Sequence, residues 1–287
     1  MAHRPAGILI HEHHEAKKLL AELEALVGLA GASEKNSSPD HPSDKEKKTM
    51  SMNATQTVRE LAVEHPAATR VFEALGIDYC CGGQKSLAEA CSVAKLSVDQ
   101  VLETLEQAEA DRQPKEQATD WQAAPLAGVV EHIINTHHKF TREELARLEP
   151  LLDKVCKVHG QNHPEMLEIR RVFAGLNQEL TLHMMKEERI LFPYIVQLEQ
   201  AIQHHQAPPM SPFGTVQNPI HMMMTEHDSA GEALRQMRSL SSDYAPPADA
   251  CVSYRTLYNA LADLEQDLHQ HIHLENNILF PRAIRME

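Results

Sequence analysis

Apolar residues in the C-terminal half of the chain recur with helical spacing. Leu257, Leu261, Leu264 and Leu268 follow steps of 4, 3 and 4, and the next positions of that heptad are His271, Glu275 and Ile278. An earlier stripe reads Ile169, Phe173, Leu176, Leu180, then His183, Glu187 and Ile190; a shift of 88 residues superposes the two. A third stripe is Ile220, Met223, His227, Ala230 and Leu234. A fourth is Val130, Ile134, His138, Thr141, Leu145 and Leu148, in which His137 fits nearly as well as His138 when counted from Val130 and Ile133. Such stripes predict amphipathic helices that bury one face. They span about 126–153, 165–200, 217–240 and 250–284, with Pro and Gly breaks between them at 159–164, 208–214 and 246–247. No stretch of 125–287 alternates convincingly with a strand period, so the fold class is all-α: a four-helix bundle over 125–287.

Upstream the pattern is shorter. Residues 54–110 predict a small helical domain with capping boxes at Thr57…Glu60, Ser86…Glu89 and Ser97…Gln100. Pro66 breaks the first helix, Gly76 suits a helix stop, and the loop Asp78-Tyr-Cys-Cys-Gly-Gly83 lies between helices. Residues 31–53 and 111–124 are polar and predict linkers. Residues 1–30 predict one more amphipathic helix, with Leu9, His13, Ala16, Leu20, Leu23 and Val27 on a stripe. Its text IHEHHEAKKLL is similar to MTEHDSAGEAL at 224–234. The simplest expectation there is a docking helix; a further metal at His11, His13 and His14 is the alternative.

Composition narrows the function classes. The chain has 287 residues and a formal net charge of −14, with no basic stripe, which argues against nucleic acid as a partner. No run of about 18 apolar residues predicts a membrane span. The five cysteines have no framework spacing, and residues 1–30 lack a signal-type apolar core, so a reducing cytoplasm is the expected compartment.

The chemistry lies in the repeat. Each His-x-x-x-Glu pair falls on the buried seam of its helix, where residues i and i+4 stack. Imidazole and carboxylate in a bundle core are costly unless paired or bound to metal. Two such pairs, with one seam histidine on each remaining helix, give four imidazoles and two carboxylates, a set that can hold two metal ions. If both glutamates bridge, each metal has four protein donors, and a bridging oxide or hydroxide leaves one position open. Nitrogen and oxygen donors with open positions favour iron over closed structural zinc. The ferritin-type signature is Glu-x-x-His; the reversed order and wider spacing here point to a hemerythrin-like bundle.

The segments DYCCGG (78–83), APLAGVVEHIINTHH (124–138), HMMKEERILFP (183–193), TEHDSAGEAL (225–234) and HIHLENNILFP (271–281) together resemble the repair-of-iron-centres (RIC) proteins, the ScdA, YtfE and DnrN type. The resemblance covers about 52–287. It implies a small ScdA-N-like domain ahead of a hemerythrin-like one, and carries the iron ligands onto His138, His183, Glu187, His227, His271 and Glu275. His138 is selected over His137 by this alignment. It further implies two non-haem, oxo-bridged irons and repair of iron–sulfur clusters damaged by nitric oxide or peroxide under stress, with damaged iron–sulfur proteins as partners. Acidic residues near the metals are implied to matter, and Glu179 and Glu226, each just ahead of a ligand on its helix, match. A homodimer is compatible with the sequence. Residues 1–49 stand outside the resemblance.

Cys80 and Cys81 admit two readings: small buried apolar residues, or accessible thiols for redox work or iron transfer. Three functions therefore compete. One is repair by iron supply, another hemerythrin-like binding or sensing of oxygen or nitric oxide, and the third reduction of nitric oxide at the di-iron centre. A thiol pair has no use in simple reversible binding, which favours repair.

Overall fold

A computed structural model describes residues 52–111 and 119–287. The helix expected at 1–30 with its histidines, the linker up to Ser51 and residues 112–118 of the second linker lie outside the described residues. The described residues are helical, with a single isolated bridge, Thr57 to Ser86, and no strand. The chain divides into two compact units.

The first unit comprises the described residues up to Asp78 and from Gln84 to Asp111. Helices α1 (Val58–Glu64), α2 (Ala68–Ala74), α3 (Leu87–Ala94) and α4 (Val98–Ala110) close over Leu61, Phe72, Leu87, Cys91 and Leu105. Two of the expected capping boxes are formed. Thr57 Oγ1 accepts from Glu60 N at 3.1 Å while Glu60 Oε2 accepts from Thr57 N at 2.8 Å. Ser86 and Glu89 repeat the exchange at 3.3 and 2.9 Å. The two capped ends are then tied together, since Val58 N donates to Lys85 O and Leu87 N to Gln56 O, both at 2.9 Å. The third box fails: Ser97 precedes α4 but its side chain makes no capping bond. Gly76 takes φ +66°, a left-handed stop just past α2 that a side chain would strain.

The second unit contains residues 79–83 and the bundle. Its first rod is α5 (Leu126–His132), a π-helical stretch Ile133–His138, and α6 (Lys139–His159). The second is α7 (Glu165–Lys186), a π stretch Glu187–Leu191, and α8 (Phe192–Gln203). The third is α9 (Gln217–Leu240), unbroken. The fourth is α10 (Val252–His273), a π stretch Leu274–Leu279, and α11 (Phe280–Met286). Phe173, Leu176, Leu180, Leu234, Leu257, Leu261, Leu264 and Leu268 fill the centre, as the stripes predict. Each such side chain contributes roughly 1.5–3 kcal/mol by leaving water.

The π stretches correct one register. The heptad places Ile190 on the seam, yet Ile190 is 51% exposed and Leu191 is 2% exposed. A π turn inserts an extra residue, so the inward face moves on by one position. The end of the second linker is also ordered where it meets the bundle: Trp121 stacks on His132 at 4.4 Å, and its carbonyl accepts from Arg282 at 2.8 Å.

Candidate metal centre

The π stretches explain how the seam converges. His138 ends the first, Glu187 opens the second and Glu275 lies in the third. An i→i+5 turn leaves backbone and side chain re-aimed, which is why such turns recur at functional positions. His183, His227 and His271 project from ordinary α-helix beside them. All six side chains are between 0% and 3% exposed.

The six form two overlapping sets. His138, Glu187, His271 and Glu275 present donor atoms within 4.8 Å of one another, and so do His183, Glu187, His227 and Glu275. Both carboxylates belong to both sets, one oxygen to each. Glu187 Oε2 is 3.4 Å from His138 Nε2, and Glu187 Oε1 is 3.3 Å from His183 Nε2. Glu275 Oε1 and Oε2 lie 3.0 Å from His271 Nε2 and His227 Nε2 respectively. The Nε2 atoms of His138 and His271 are 3.1 Å apart, those of His183 and His227 3.0 Å.

Outer partners fix which ring nitrogen faces inward. His138 Nδ1 lies 2.7 Å from Glu188 Oε1, and His183 Nδ1 2.7 Å from Glu226 Oε2. A carboxylate can only accept, so both Nδ1 atoms carry a proton and both Nε2 atoms turn a lone pair inward when the ring is neutral. His227 Nδ1 donates to Asn276 Oδ1 at 2.9 Å, with the same result. Paired lone pairs about 3 Å apart repel unless a cation lies between them. Neither oxygen of Glu187 receives a well-formed hydrogen bond, nor does Glu275 Oε2. Orphaned, fully buried carboxylate oxygens facing imidazole lone pairs are what a metal site leaves behind, so the residues fit a pair of metal ions.

In the metal-free protein protons serve instead. Burial alone lowers the His183 pKa, but Glu187, Glu275 and Glu226 outweigh it and raise it to about 9. His138 is raised in the same way, with Glu187 the main opponent of burial. Burial pushes the Glu275 carboxyl up, yet His271 and His227 hold it well below the usual range. Burial and the charge of Glu275 both raise Glu187, and His183 and His138 more than offset them. The cavity demands positive charge.

Of the two acidic residues named from sequence, Glu226 reaches the centre through His183 and also binds Lys186. Glu179 is exposed and accepts from Ser229 Oγ at 3.1 Å. Glu188 and Asn276 are positioning residues that the sequence reading passed over. Both were findable: the shift of 88 that relates Glu187 to Glu275 also relates Glu188 to Asn276. His137, the rejected seam candidate, is buried too; it stacks on His271 at 5.7 Å and lies 3.0 Å from Asp267. On the His138 side an apolar groove of about 340 Å³, lined by Val130, Ile134, Phe192 and Val196, has Glu188 in its wall.

Cys80 and Cys81 are both thiols, with sulfurs 3.6 Å apart. Residues 79–83 group with the bundle, and Cys81 Sγ lies 3.7 Å from the carbonyl oxygen of His227.

Family models match in two places. Residues 129–283 match the hemerythrin HHE cation binding domain, and residues 54–109 match ScdA_N, a domain of unknown function (DUF542). Relatives extend across both. Proteins named iron-sulfur cluster repair protein YtfE, from Escherichia coli O81 (strain ED1a), Escherichia coli (strain SMS-3-5 / SECEC) and Escherichia fergusonii, are each 39% identical over 232 residues. Each alignment covers 81% of this chain and 98% of the relative. The chain belongs to the YtfE family of iron–sulfur cluster repair proteins. The hemerythrin match implies iron binding, and the His/Glu sets that could hold a metal lie inside it. Residues 1–49 lie outside both family matches. Among the described residues no helix is long and apolar enough to cross a membrane.

Proposed function

We propose that this chain repairs iron–sulfur clusters damaged by nitrosative or oxidative stress, as a di-iron protein that supplies iron. What carries the reading is the sharing of Glu187 and Glu275 between two four-donor sets, in a chain alignable with nearly the full length of a repair protein. His138 and His271 would hold one iron and His183 and His227 the other, with both glutamates bridging. Four protein donors would leave each ion room for exchangeable ligands. When bound, the pair supplies redox-active, exchangeable iron. The protein's part is to orient and to dry the site. Glu188, Glu226 and Asn276 hold three rings with Nε2 inward, while Phe192 and Phe280 cover His138 and His227 at 5.7 and 6.1 Å. Damaged iron–sulfur proteins are the partners, nitric oxide or peroxide the small ligands, and the cytoplasm the compartment.

The decisive experiment loads the chain with ⁵⁷Fe and incubates it anaerobically with a client whose cluster has been broken. ⁵⁷Fe should appear in the restored cluster, matched by loss from the bundle. Equal recovery with metal-free protein, or recovery without label transfer, contradicts iron supply.

A further inference from the structure

Two neighbouring amides hold the cysteine loop, and one of them also touches the metal centre. Asn276 is 7% exposed; its Oδ1 accepts from His227 Nδ1 at 2.9 Å, and its Nδ2 donates to the carbonyl of Cys80 at 3.2 Å. A single side chain therefore touches an imidazole of the centre and the backbone of a thiol residue. The orientation of the amide is fixed at both ends, because the carbonyl of Cys80 can only accept. Asn277, 5% exposed, donates from Nδ2 to the Tyr79 carbonyl at 3.0 Å and lies 2.9 Å from His273 Nδ1. The Tyr79 ring packs edge-on against His273 at 5.5 Å. On the facing helix, Cys81 Sγ rests on the His227 carbonyl.

This arrangement is one-sided. At the repeat position of Asn276 stands Glu188, which supports His138 but turns toward Arg142 and the apolar groove. An amide can accept and donate at once, whereas a carboxylate only accepts. The asparagine thus connects two things where the glutamate supports one.

We propose that Asn276 is a positioning residue that couples the Cys80–Cys81 loop to the His183/His227 half of the centre, with Asn277 fastening the loop beside it. The proposal rests on the two-metal reading only for its metal-dependent part. Filling the centre fixes the His227 ring, the fixed ring holds Asn276, and Asn276 holds the loop. By linkage, what stabilises one end must stabilise the other. The thiols are then shielded when metal is present and released when it leaves.

The test is the rate of Cys80 alkylation by iodoacetamide, read residue by residue by mass spectrometry. Sulfur displaces iodide, and the thiol proton passes to buffer. Full-length protein is compared metal-free and loaded anaerobically with ferrous iron. Wild-type alkylation should slow on loading. Asn276→Ala should speed it roughly tenfold, the worth of one buried hydrogen bond, and abolish the effect of metal. Asn276→Asp keeps the acceptor for His227 and loses the donor to Cys80; it should behave like Asn276→Ala. Asn277→Ala should speed alkylation yet preserve the metal effect, because the His227 link survives. Wild-type rates in metal-free Asn276→Asp and Asn277→Ala overturn the clamp. A metal effect that persists in both Asn276 variants overturns the coupling. Failure of wild-type protein to take up two irons overturns the two-metal reading separately, while the metal-free rates still decide the clamp.

Discussion

Replacing Glu275 by glutamine changes one buried charge and almost no volume. Each oxygen of Glu275 faces a different imidazole Nε2 at 3.0 Å. The substitution therefore weakens both metal positions at once: one loses its anionic donor for a neutral amide oxygen, the other faces an amide nitrogen with no lone pair to give. Outer-partner changes alone cost 10–100-fold in metal affinity, so about 100-fold per position is a lower expectation for a direct donor, or roughly 2.7 kcal/mol. Stabilisation by a bound metal scales with the logarithm of its affinity. With both positions weakened the loss is about 5.4 kcal/mol, which for a domain of this size corresponds to roughly 11–22 °C in Tm. The metal-free protein should lose roughly 3–5 kcal/mol as well, because the substitution removes one partner of a buried charge pair and leaves the facing imidazoles uncompensated, so the metal-induced shift rather than the absolute Tm is the readout. The assay is a pair of thermal melts, with and without ferrous iron under nitrogen, alongside iron analysis. A variant that holds two irons and keeps the full metal-induced Tm shift would refute the bridging role.

Glu188→Ala and Glu226→Ala should each lower iron affinity about 10–100-fold through loss of the Nδ1 partner; chelator competition checks this, and Glu179→Ala serves as the exposed comparison expected to change nothing. Metal loading should release protons at pH 8, because His183 in the metal-free protein is still protonated there, with its pKa raised to about 9. The sign follows: affinity rises with pH toward about 9 and falls as the solution is acidified, which calorimetry in buffers of different ionisation enthalpy reads directly. Cys80→Ser with Cys81→Ser should keep the iron of the bundle but impair cluster recovery; unimpaired recovery would leave the thiols without a part in transfer.

Periodicity carried the bundle because Leu257, Leu261, Leu264 and Leu268 obey one rule, burial on one helix face. It failed at Ile190, where a π turn breaks that rule, and heptad counting has no means to foresee an inserted residue. The same irregularity explains why His137 and His138 could not be separated by spacing: both are buried at the end of a π stretch. The six candidate donors were legible because ionisable residues on an apolar seam are conspicuous. Their outer partners were harder to see, since Glu188 looks from the sequence like any polar residue on a wet face. Ser97 shows the converse, a capping pattern without a capping bond. Residues 79–83 group with the bundle and are hydrogen-bonded to Asn276 and Asn277 across nearly two hundred positions, beyond any local pattern.

The central claim is that two irons share Glu187 and Glu275 within one bundle. Mössbauer spectroscopy of the ⁵⁷Fe-loaded chain, with iron counted on the same sample, tests it most directly. Two irons per chain, magnetically coupled, are expected, with Glu187→Ala and Glu275→Ala each losing the coupling. A single iron per chain, or two that remain uncoupled in the unaltered protein, would contradict it.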